Sequence, residues 1–351
     1  TECGTVTPRP QFGNAKPRIF RLASDKAIIN RLGFNNNGIE KFLMNMSKSN
    51  KNGVLGANIG PNKDTENFID DYINLYTQVV DYSDYVTVNV SSPNTENLRE
   101  IQEHDTLNTL LSELSQLREN MKTQKKIILK IDPDSTKQHY SMVLNLVQKY
   151  KIDGIIATNT TISRPQDLMN EYKDEEGGIS GQPLKELSNK VLSFLSKETN
   201  RELLLIGVGG ISNAEDVYTK IKLGASLVQL YTALTFNGPQ MINNIKKDLS
   251  LLLHNDGYKN ISDVLKIVSV INVNIKEEDL ISILIRSNFK KNKDMLEELV
   301  TLPQLKENKN FILRLVNEVD NTDFSFLANT PKEQIELEKT KIYKKIILNC
   351  K

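Results

Sequence analysis

Leu203-Leu204-Leu205-Ile206-Gly207-Val208-Gly209-Gly210-Ile211-Ser212-Asn213-Ala214-Glu215-Asp216 runs from an apolar segment through two glycines into a helix start. The run Leu203–Val208 reads as a strand buried on both faces, the kind that parallel sheets contain. Ala214–Leu223 then reads as a helix, because Ser212 or Asn213 can cap it and Glu215 and Asp216 suit the positive end of its first turn. A second apolar run, Leu227–Tyr231, follows closely. Strand, glycine turn, helix and strand together make one unit of a parallel β/α fold.

The same alternation extends back to the start of the chain. Gly4–Thr7, Val54–Ile59, Tyr85–Val90, Ile127–Ile131 and Gly154–Thr158 read as further strands. Thr65–Val80, Asp105–Met121, Tyr140–Tyr150 and Leu184–Lys197 read as the helices between them. That gives seven strands. A closed β/α barrel needs eight, whereas doubly wound sheets tolerate other numbers. On the barrel reading, the eighth strand is expected upstream of Thr1. After Lys266 the texture changes to long polar helical patterns, Glu277–Arg286, Lys293–Val300 and Lys332–Ile347, with no glycine turns or buried-strand runs. Residues 1–266 are therefore read as the β/α domain and 267–351 as a small helical appendage, a disordered or out-of-family tail being the other reading.

Composition narrows the function classes. The 351 residues carry 45 basic and 44 acidic side chains, a net charge of +1, which gives no reason to expect nucleic acid as a partner. The two cysteines, Cys3 and Cys350, lie at opposite ends and form no CxxC pair, so neither a disulfide framework nor a metal site is expected and a reducing compartment fits. His104, His139 and His254 match no metal-binding spacing and read as surface histidines. No apolar run approaches the roughly 20 residues of a membrane span, and no signal peptide is visible.

In barrels the chemistry lies at the C-terminal ends of the strands. The polar residues there are Asn58, Asn89 through Thr95, Lys130, Thr158 through Thr161, Gly209-Gly210 and Tyr231-Thr232. Amides, hydroxyls and one lysine converge with almost no carboxylate, which suits a hydrogen-bonding, neutral-to-anionic ligand better than a metal. Gly209-Gly210 before a helix start is either a tight turn or a phosphate loop, and its place before the last strand favours phosphate. Gly177-Gly178-Ile179-Ser180-Gly181 reads as a second glycine-rich loop that wraps a ligand. Lys130 in a buried run either snorkels outward or is held against an anionic ligand, and the second reading explains its cost better. Ser92 has no neighbouring histidine in sequence, so its loop reads on these grounds as polar rather than catalytic.

Asn89-Val90-Ser91-Ser92-Pro93-Asn94-Thr95, with Leu98-Arg99 after it, resembles the catalytic-loop signature of dihydroorotate dehydrogenases. Class 1 members carry cysteine at the position of Ser92; serine marks class 2, the quinone-reducing, membrane-associated branch. Gly4–Gln11, Gly13-Asn14, Lys16-Pro17-Arg18, Asn30–Asn36, Asn58-Ile59-Gly60 with Asn62–Thr65, Thr158–Thr161, Gly207–Ile211 and Gly224-Ala225-Ser226 are also similar to class 2. They run in family order over residues 1 to about 266.

The resemblance implies a TIM-type (β/α)8 barrel, incomplete here because the family's first strand has no counterpart, with a C-terminal helical appendage. It implies FMN as cofactor, dihydroorotate and orotate as ligands, a quinone as electron acceptor and a monomeric protein. Ser92 would take the C5 proton of dihydroorotate while hydride passes from C6 to flavin N5, the proton leaving through ordered water and neighbouring hydroxyls. Asn30, Asn89, Asn94, Asn159 and Thr160 would bind the pyrimidine. Thr5, Asn58, Asn89, Lys130, Thr158, Gly181, Gly210, Tyr231 and Thr232 would hold FMN, the last three around its phosphate, with Lys130 at the flavin's N1–C2 edge. The family docks peripherally on the cytoplasmic face of a membrane through N-terminal amphipathic helices; without them the protein would be soluble. Two rival readings are another FMN-barrel dihydropyrimidine oxidoreductase, which the Asn89–Asn94 loop disfavours, and an inactive or truncated remnant that acts through its helical tail.

Overall fold

The computed structural model describes residues 1–262 and 264, apart from 50–52, 96–97 and 201, together with scattered positions between 318 and 345. The helices expected after Lys266 lie outside the described residues, those positions excepted. Two compact units are present, Thr1–Met241 and Ile242–Lys351. In the second, the described part is mainly α8 (Met241–Asn255), whose Ile245, Leu249 and Leu253 recur every four residues and are buried.

The first unit is built on seven parallel strands. In spatial order they are β1 (Glu2–Val6), β4 (Gly56–Ile59), β5 (Tyr85–Asn89), β6 (Lys126–Ile131), β7 (Gly154–Ala157), β9 (Leu204–Val208) and β10 (Leu227–Gln229). Every neighbouring pair is parallel. These are the seven expected strands, each within a few residues of its expected bounds. The connecting helices include α2 (Phe68–Val79), α3 (His104–Asn120), α4 (Lys137–Lys149), α5 (Lys185–Glu198) and α6 (Ala214–Lys222), preceded by the additional α1 (Gly38–Ser47). Local chemistry fixes their starts. Asn67, Thr136 and Asn213 accept from the backbone N–H groups of Ile69, His139 and Asp216 at 3.0, 3.2 and 2.8 Å. Each cap stabilises its helix by about 1 kcal/mol.

Alternation along the strands separates two faces. Val86, Val88, Ile127, Leu129, Ile131, Ile155, Ala157 and Leu205 join one core with helix residues such as Leu75, Leu110, Val143, Val147 and Leu192. Ile128, Ile156 and Ile206 form a second cluster with Tyr85, Leu204 and Val208 on the opposite face. Side chains of the same parity nearer the C-terminal ends are polar: Asn89, Lys130 and Thr158. The inner face thus has an apolar floor beneath a polar layer. Burial of each leucine or isoleucine in either cluster is worth roughly 1.5–3 kcal/mol.

The sheet is curled. β1 and β10 stand at opposite ends of the strand order, yet Gln229 Nε2 on β10 donates to Glu2 Oε2 on β1 at 2.9 Å. Only a sheet wrapped most of the way round brings its two edges within one side-chain pair of each other. This is a TIM-type architecture. A small antiparallel sheet in the order β2 (Ile19–Leu22), β3 (Ala27–Asn30), β8 (Gly178–Gly181) accompanies it. Gly177–Gly181, expected as a loop, is therefore mostly a strand, because Gly178–Gly181 pairs in register with Ala27–Asn30.

Candidate active site

A cavity of about 970 Å³ opens where the strands end. Of the fourteen positions singled out from the sequence, thirteen line it: Thr5, Asn30, Asn89, Ser92, Asn94, Lys130, Thr158, Asn159, Thr160, Gly181, Gly210, Tyr231 and Thr232. Asn58 does not. It stands one layer back, accepting from the Thr5 hydroxyl at 2.6 Å and donating to Glu2 at 2.8 Å.

Backbone irregularity in β1 produces that arrangement. The β1–β4 register slips between Gly4 and Val6, leaving Thr5 as an extra residue opposite no partner. A bulge of this kind breaks the in–out alternation and re-aims a side chain. Glu2 and Thr5, three apart, therefore both reach Asn58. Beyond Thr5 the hydrogen bonds continue: Asn89 Nδ2 donates to Thr5 Oγ1 at 3.0 Å, and Asn159 Nδ2 donates to Asn89 Oδ1 at 3.2 Å and to Ser91 Oγ at 3.0 Å. The amide of Thr160 closes the row on Asn159 Oδ1 at 2.8 Å. Each amide side chain is locked in one orientation, because a group donating to one neighbour must accept from the next.

Glu2 anchors the foot of this row. Its carboxylate accepts from Asn58, Tyr85, Thr87 and Gln229 at 2.8 to 3.2 Å. Burial pushes the carboxyl up, but the charge of Lys130 and the hydrogen bonds from Asn58, Thr87 and Gln229 outweigh it and hold Glu2 below its ordinary value. All those direct donors are neutral. Lys130 makes no hydrogen bond or ion pair among the described residues, so its ammonium remains free to meet a ligand in the cavity it lines. Sequence reading missed Glu2 because a carboxylate ahead of Gly4 does not look like part of a buried strand.

In the loop that follows β5, Ser92 is 6% exposed and its Oγ accepts the Asn94 amide at 3.3 Å. Arg99 secures the loop: it donates to the carbonyls of Ser91 and Thr160 at 3.3 and 3.0 Å and pairs with Asp134 at 2.9 Å. Asn94 and Asn30 orient each other, with Asn94 Nδ2 donating to Asn30 Oδ1 at 3.0 Å and Gly178 N donating to Asn94 Oδ1 at 3.3 Å. Two buried hydroxyls in this region, Thr95 Oγ1 and Thr160 Oγ1, have no hydrogen-bond partner among the described residues. Leaving a buried polar atom unmet costs about 1–3 kcal/mol, so the orphaned hydroxyl of Thr160, which lines the cavity, points to a ligand.

At the far end lie the two last loops. The backbone amides of Gly209 and Gly210 donate to no protein group among the described residues. Gly210 has φ +72°, which only glycine adopts freely, and a Cβ there would collide with Lys185. Gln182 Nε2 ties the loop down through Gly210 O at 3.0 Å and Ser212 Oγ at 2.8 Å. Thr232, at the start of α7 (Thr232–Asn237), donates to Ser180 Oγ at 2.8 Å. Gln182 was not legible as a site residue, whereas Ser180 falls inside the glycine-rich stretch expected to wrap a ligand.

Unpartnered backbone amides, an ammonium with no hydrogen bond among the described residues, and a set of amide and hydroxyl side chains around one cavity suit a ligand with an anionic terminus beside a second, flat one. The family model for dihydroorotate dehydrogenase matches residues 1–253. A dihydroorotate dehydrogenase (quinone) of Christiangramia forsetii is 50% identical over 250 residues, covering 71% of this chain and 73% of that protein. One from Bartonella tribocorum is 42% identical over 267 residues, covering 75% and 74%. Among solved structures, the Eimeria tenella enzyme in complex with ferulenol superposes with a TM-score of 0.72 at 38% identity, covering 76% of this chain and 78% of that one.

Proposed function

The chain belongs to the dihydroorotate dehydrogenase family, in its quinone-linked class, and on that premise we propose that it oxidises dihydroorotate to orotate in pyrimidine biosynthesis, with FMN as immediate and a quinone as final electron acceptor. The observation that carries this reading is the shared cavity: Ser92 and the free ammonium of Lys130 line one space, with Asn30, Asn89, Asn94, Asn159 and Thr160 around it.

FMN fits the residues present. Its phosphate is matched by the unpartnered amides of Gly209 and Gly210 beside Tyr231 and Thr232, and the electron-rich edge of its ring by Lys130. Thr5, Thr158 and Gly181 complete the lining, and Asn58 acts from behind Thr5. The cavity lies near the upper end of the usual range of about 300–1,000 Å³ for ligand sites, enough for a cofactor and a small substrate together. When bound, the flavin supplies a two-electron sink for the departing hydride.

The protein's own groups then account for the rest. Ser92 takes the C5 proton as hydride leaves C6; its Oγ already accepts the Asn94 amide, which steadies the oxygen toward the cavity. Serine is too weak a base to keep that proton, so a hydroxyl able to pass it on is needed nearby. The unpartnered, buried Thr95 Oγ1, three residues along, answers that need. Asn30 and Asn94, locked by their mutual bond, and Asn159 and Thr160, locked in the amide row, present fixed donors and acceptors to the pyrimidine amides and carboxylate. Among the described residues no helix is long and apolar enough to cross a membrane; the quinone-linked reading carries peripheral contact with a membrane as the route to a lipid-soluble acceptor.

The test is direct. Protein reconstituted with FMN and mixed with dihydroorotate without oxygen should lose its visible flavin absorbance, and added quinone should restore it. A protein that binds FMN but keeps its colour with dihydroorotate would refute the substrate assignment.

A further inference from the structure

Lys220 lies in α6, outside every interaction used above, and it is 1% exposed. A lysine is among the side chains least often buried completely, because its ammonium gives up hydration that neutral partners only partly replace. Here burial drives it down to about 8; Asp216 and Glu186 oppose that fall and Lys185 adds to it.

The surroundings of the ammonium are specific. Lys220 Nζ donates to Ser188 Oγ at 2.9 Å and to Asn189 Oδ1 at 2.8 Å, both on α5. Ser188 Oγ in turn donates at 2.6 Å to the carbonyl of Val208, the residue just before Gly209. Gly209 fits so closely over Ser188 that a Cβ there would stand 2.9 Å from the serine's Cβ. The lysine stem packs under the same segment, with its Cδ 3.0 Å from where a Cβ on Gly207 would be. One side chain therefore braces the Gly207–Gly210 backbone from below at two points.

Charge bookkeeping separates the two lysines of this region. Lys185 is paired with Asp216 at 2.5 Å, so its charge is met by contact. Lys220 touches only neutral acceptors. The charged groups around it are Asp216 on its own helix and Lys185 and Glu186 on α5; β9 contributes none. Above it, the amides of Gly209 and Gly210 are unpartnered and border the cavity.

We propose that Lys220 is a positioning residue for the anionic end of the cofactor: through Ser188 it holds the Val208–Gly210 backbone in its anion-receiving shape, and it sets behind that loop a positive charge bonded only to neutral acceptors. The inference rests on the reading of Gly209–Gly210 as the phosphate loop. It explains why a costly cation is kept where an apolar residue would pack.

Riboflavin, which lacks the phosphate, separates this role from a scaffold role. Dissociation constants for FMN and riboflavin are measured by flavin fluorescence for the wild-type chain and Lys220→Met, below about pH 7 and above about pH 9, either side of the lysine's titration. The wild type should lose about ten-fold in FMN affinity across that range, roughly 1.4 kcal/mol, and lose none for riboflavin. Lys220→Met should bind FMN about ten-fold more weakly at the lower pH, with no pH dependence and unchanged riboflavin affinity. An unchanged FMN-to-riboflavin ratio in the variant, whether both affinities fall or neither does, would overturn the proposal. A second arm needs no flavin: inorganic phosphate should slow hydrogen exchange at the Gly209 and Gly210 amides in the wild type and much less in Lys220→Met. Equal protection in both proteins, or none in the wild type, counts against Lys220. Failure of the wild type to bind FMN while the phosphate arm succeeds would sink the cofactor reading and leave the role of Lys220 standing.

Discussion

Lys220→Met should make the folded protein more stable at neutral pH and less stable at high pH. The wild-type ammonium titrates near 8 against an ordinary value of 10.5, which corresponds to about 3 kcal/mol of penalty for keeping it charged in the fold. At 1% exposure, solvent screening does not reduce that penalty. Methionine keeps the stem that packs below Gly207 and removes the charge. Against this, Asn189 Oδ1 loses its donor, at a cost of about 1–2 kcal/mol, while Ser188 retains its bond to Val208. The balance below pH 8 is a gain on the order of 1–2 kcal/mol. The sign then reverses. Because the folded value is depressed, the unfolded chain binds the proton more tightly between about 8 and 10.5, and wild-type stability rises through that window. Above it the neutral amine keeps its hydrogen bonds at no charge penalty, and the variant should be the weaker protein by about 1–2 kcal/mol. The chain has no tryptophan, so urea transitions of both proteins are best followed by circular dichroism at several pH values. A variant destabilised at pH 7, or a wild-type-to-variant difference that does not move with pH, would refute the reasoning.

Ser92→Ala should leave FMN affinity unchanged and slow flavin reduction by dihydroorotate about 10²- to 10⁴-fold, measured by anaerobic stopped-flow absorbance; a rate within a few fold of wild type would remove Ser92 from the chemistry. Lys130→Met should weaken FMN binding and lower the flavin midpoint potential, since the free ammonium favours extra negative charge on the ring; an unchanged potential would place Lys130 outside the site. Glu2→Gln should blunt acid unfolding: the depressed carboxyl contributes stability above its ordinary value of 4.5, and that contribution is lost as pH falls through the folded value. An acid limb identical to wild type in urea midpoints would show that Glu2 is not the buried carboxylate described.

The central parallel strands were legible because both of their faces are largely buried, so Leu203–Val208 stands out as an unbroken apolar run and Ile127–Ile131 as one interrupted only by Lys130. The polar residues at their ends were legible for the same reason: in Lys126–Ile131 the lysine at 130 stands out between buried apolar neighbours. The antiparallel sheet was not. Ile19–Leu22 is four residues long with Arg21 exposed, and Gly178–Gly181 has only one β-branched side chain. Its strand character comes from Ala27–Asn30, about 150 residues earlier in the chain, which no local pattern encodes. Asn58 illustrates a subtler limit. Its strand and face were right, but the bulge at Thr5 pushes another side chain in front of it, and register slips leave no mark in composition. Lys220 shows a third: helical spacing places it beside the buried Val217 and Ile221, and only the packed helices reveal which neutral acceptors meet it.

Neighbouring positions along these strands answer to different masters. Leu129 and Ile131 meet helices, while Lys130 between them meets the cavity; Ile155 and Ala157 likewise join the outer core, while Ile156 between them joins the inner apolar cluster. A one-residue insertion within a strand would exchange the two sets wholesale. Lineages diverging from this scaffold can therefore change what it binds only at alternate positions or in the loops beyond, and a mutant library aimed at a new substrate should vary Asn89, Lys130 and Thr158 while holding Val88, Leu129 and Ala157 fixed.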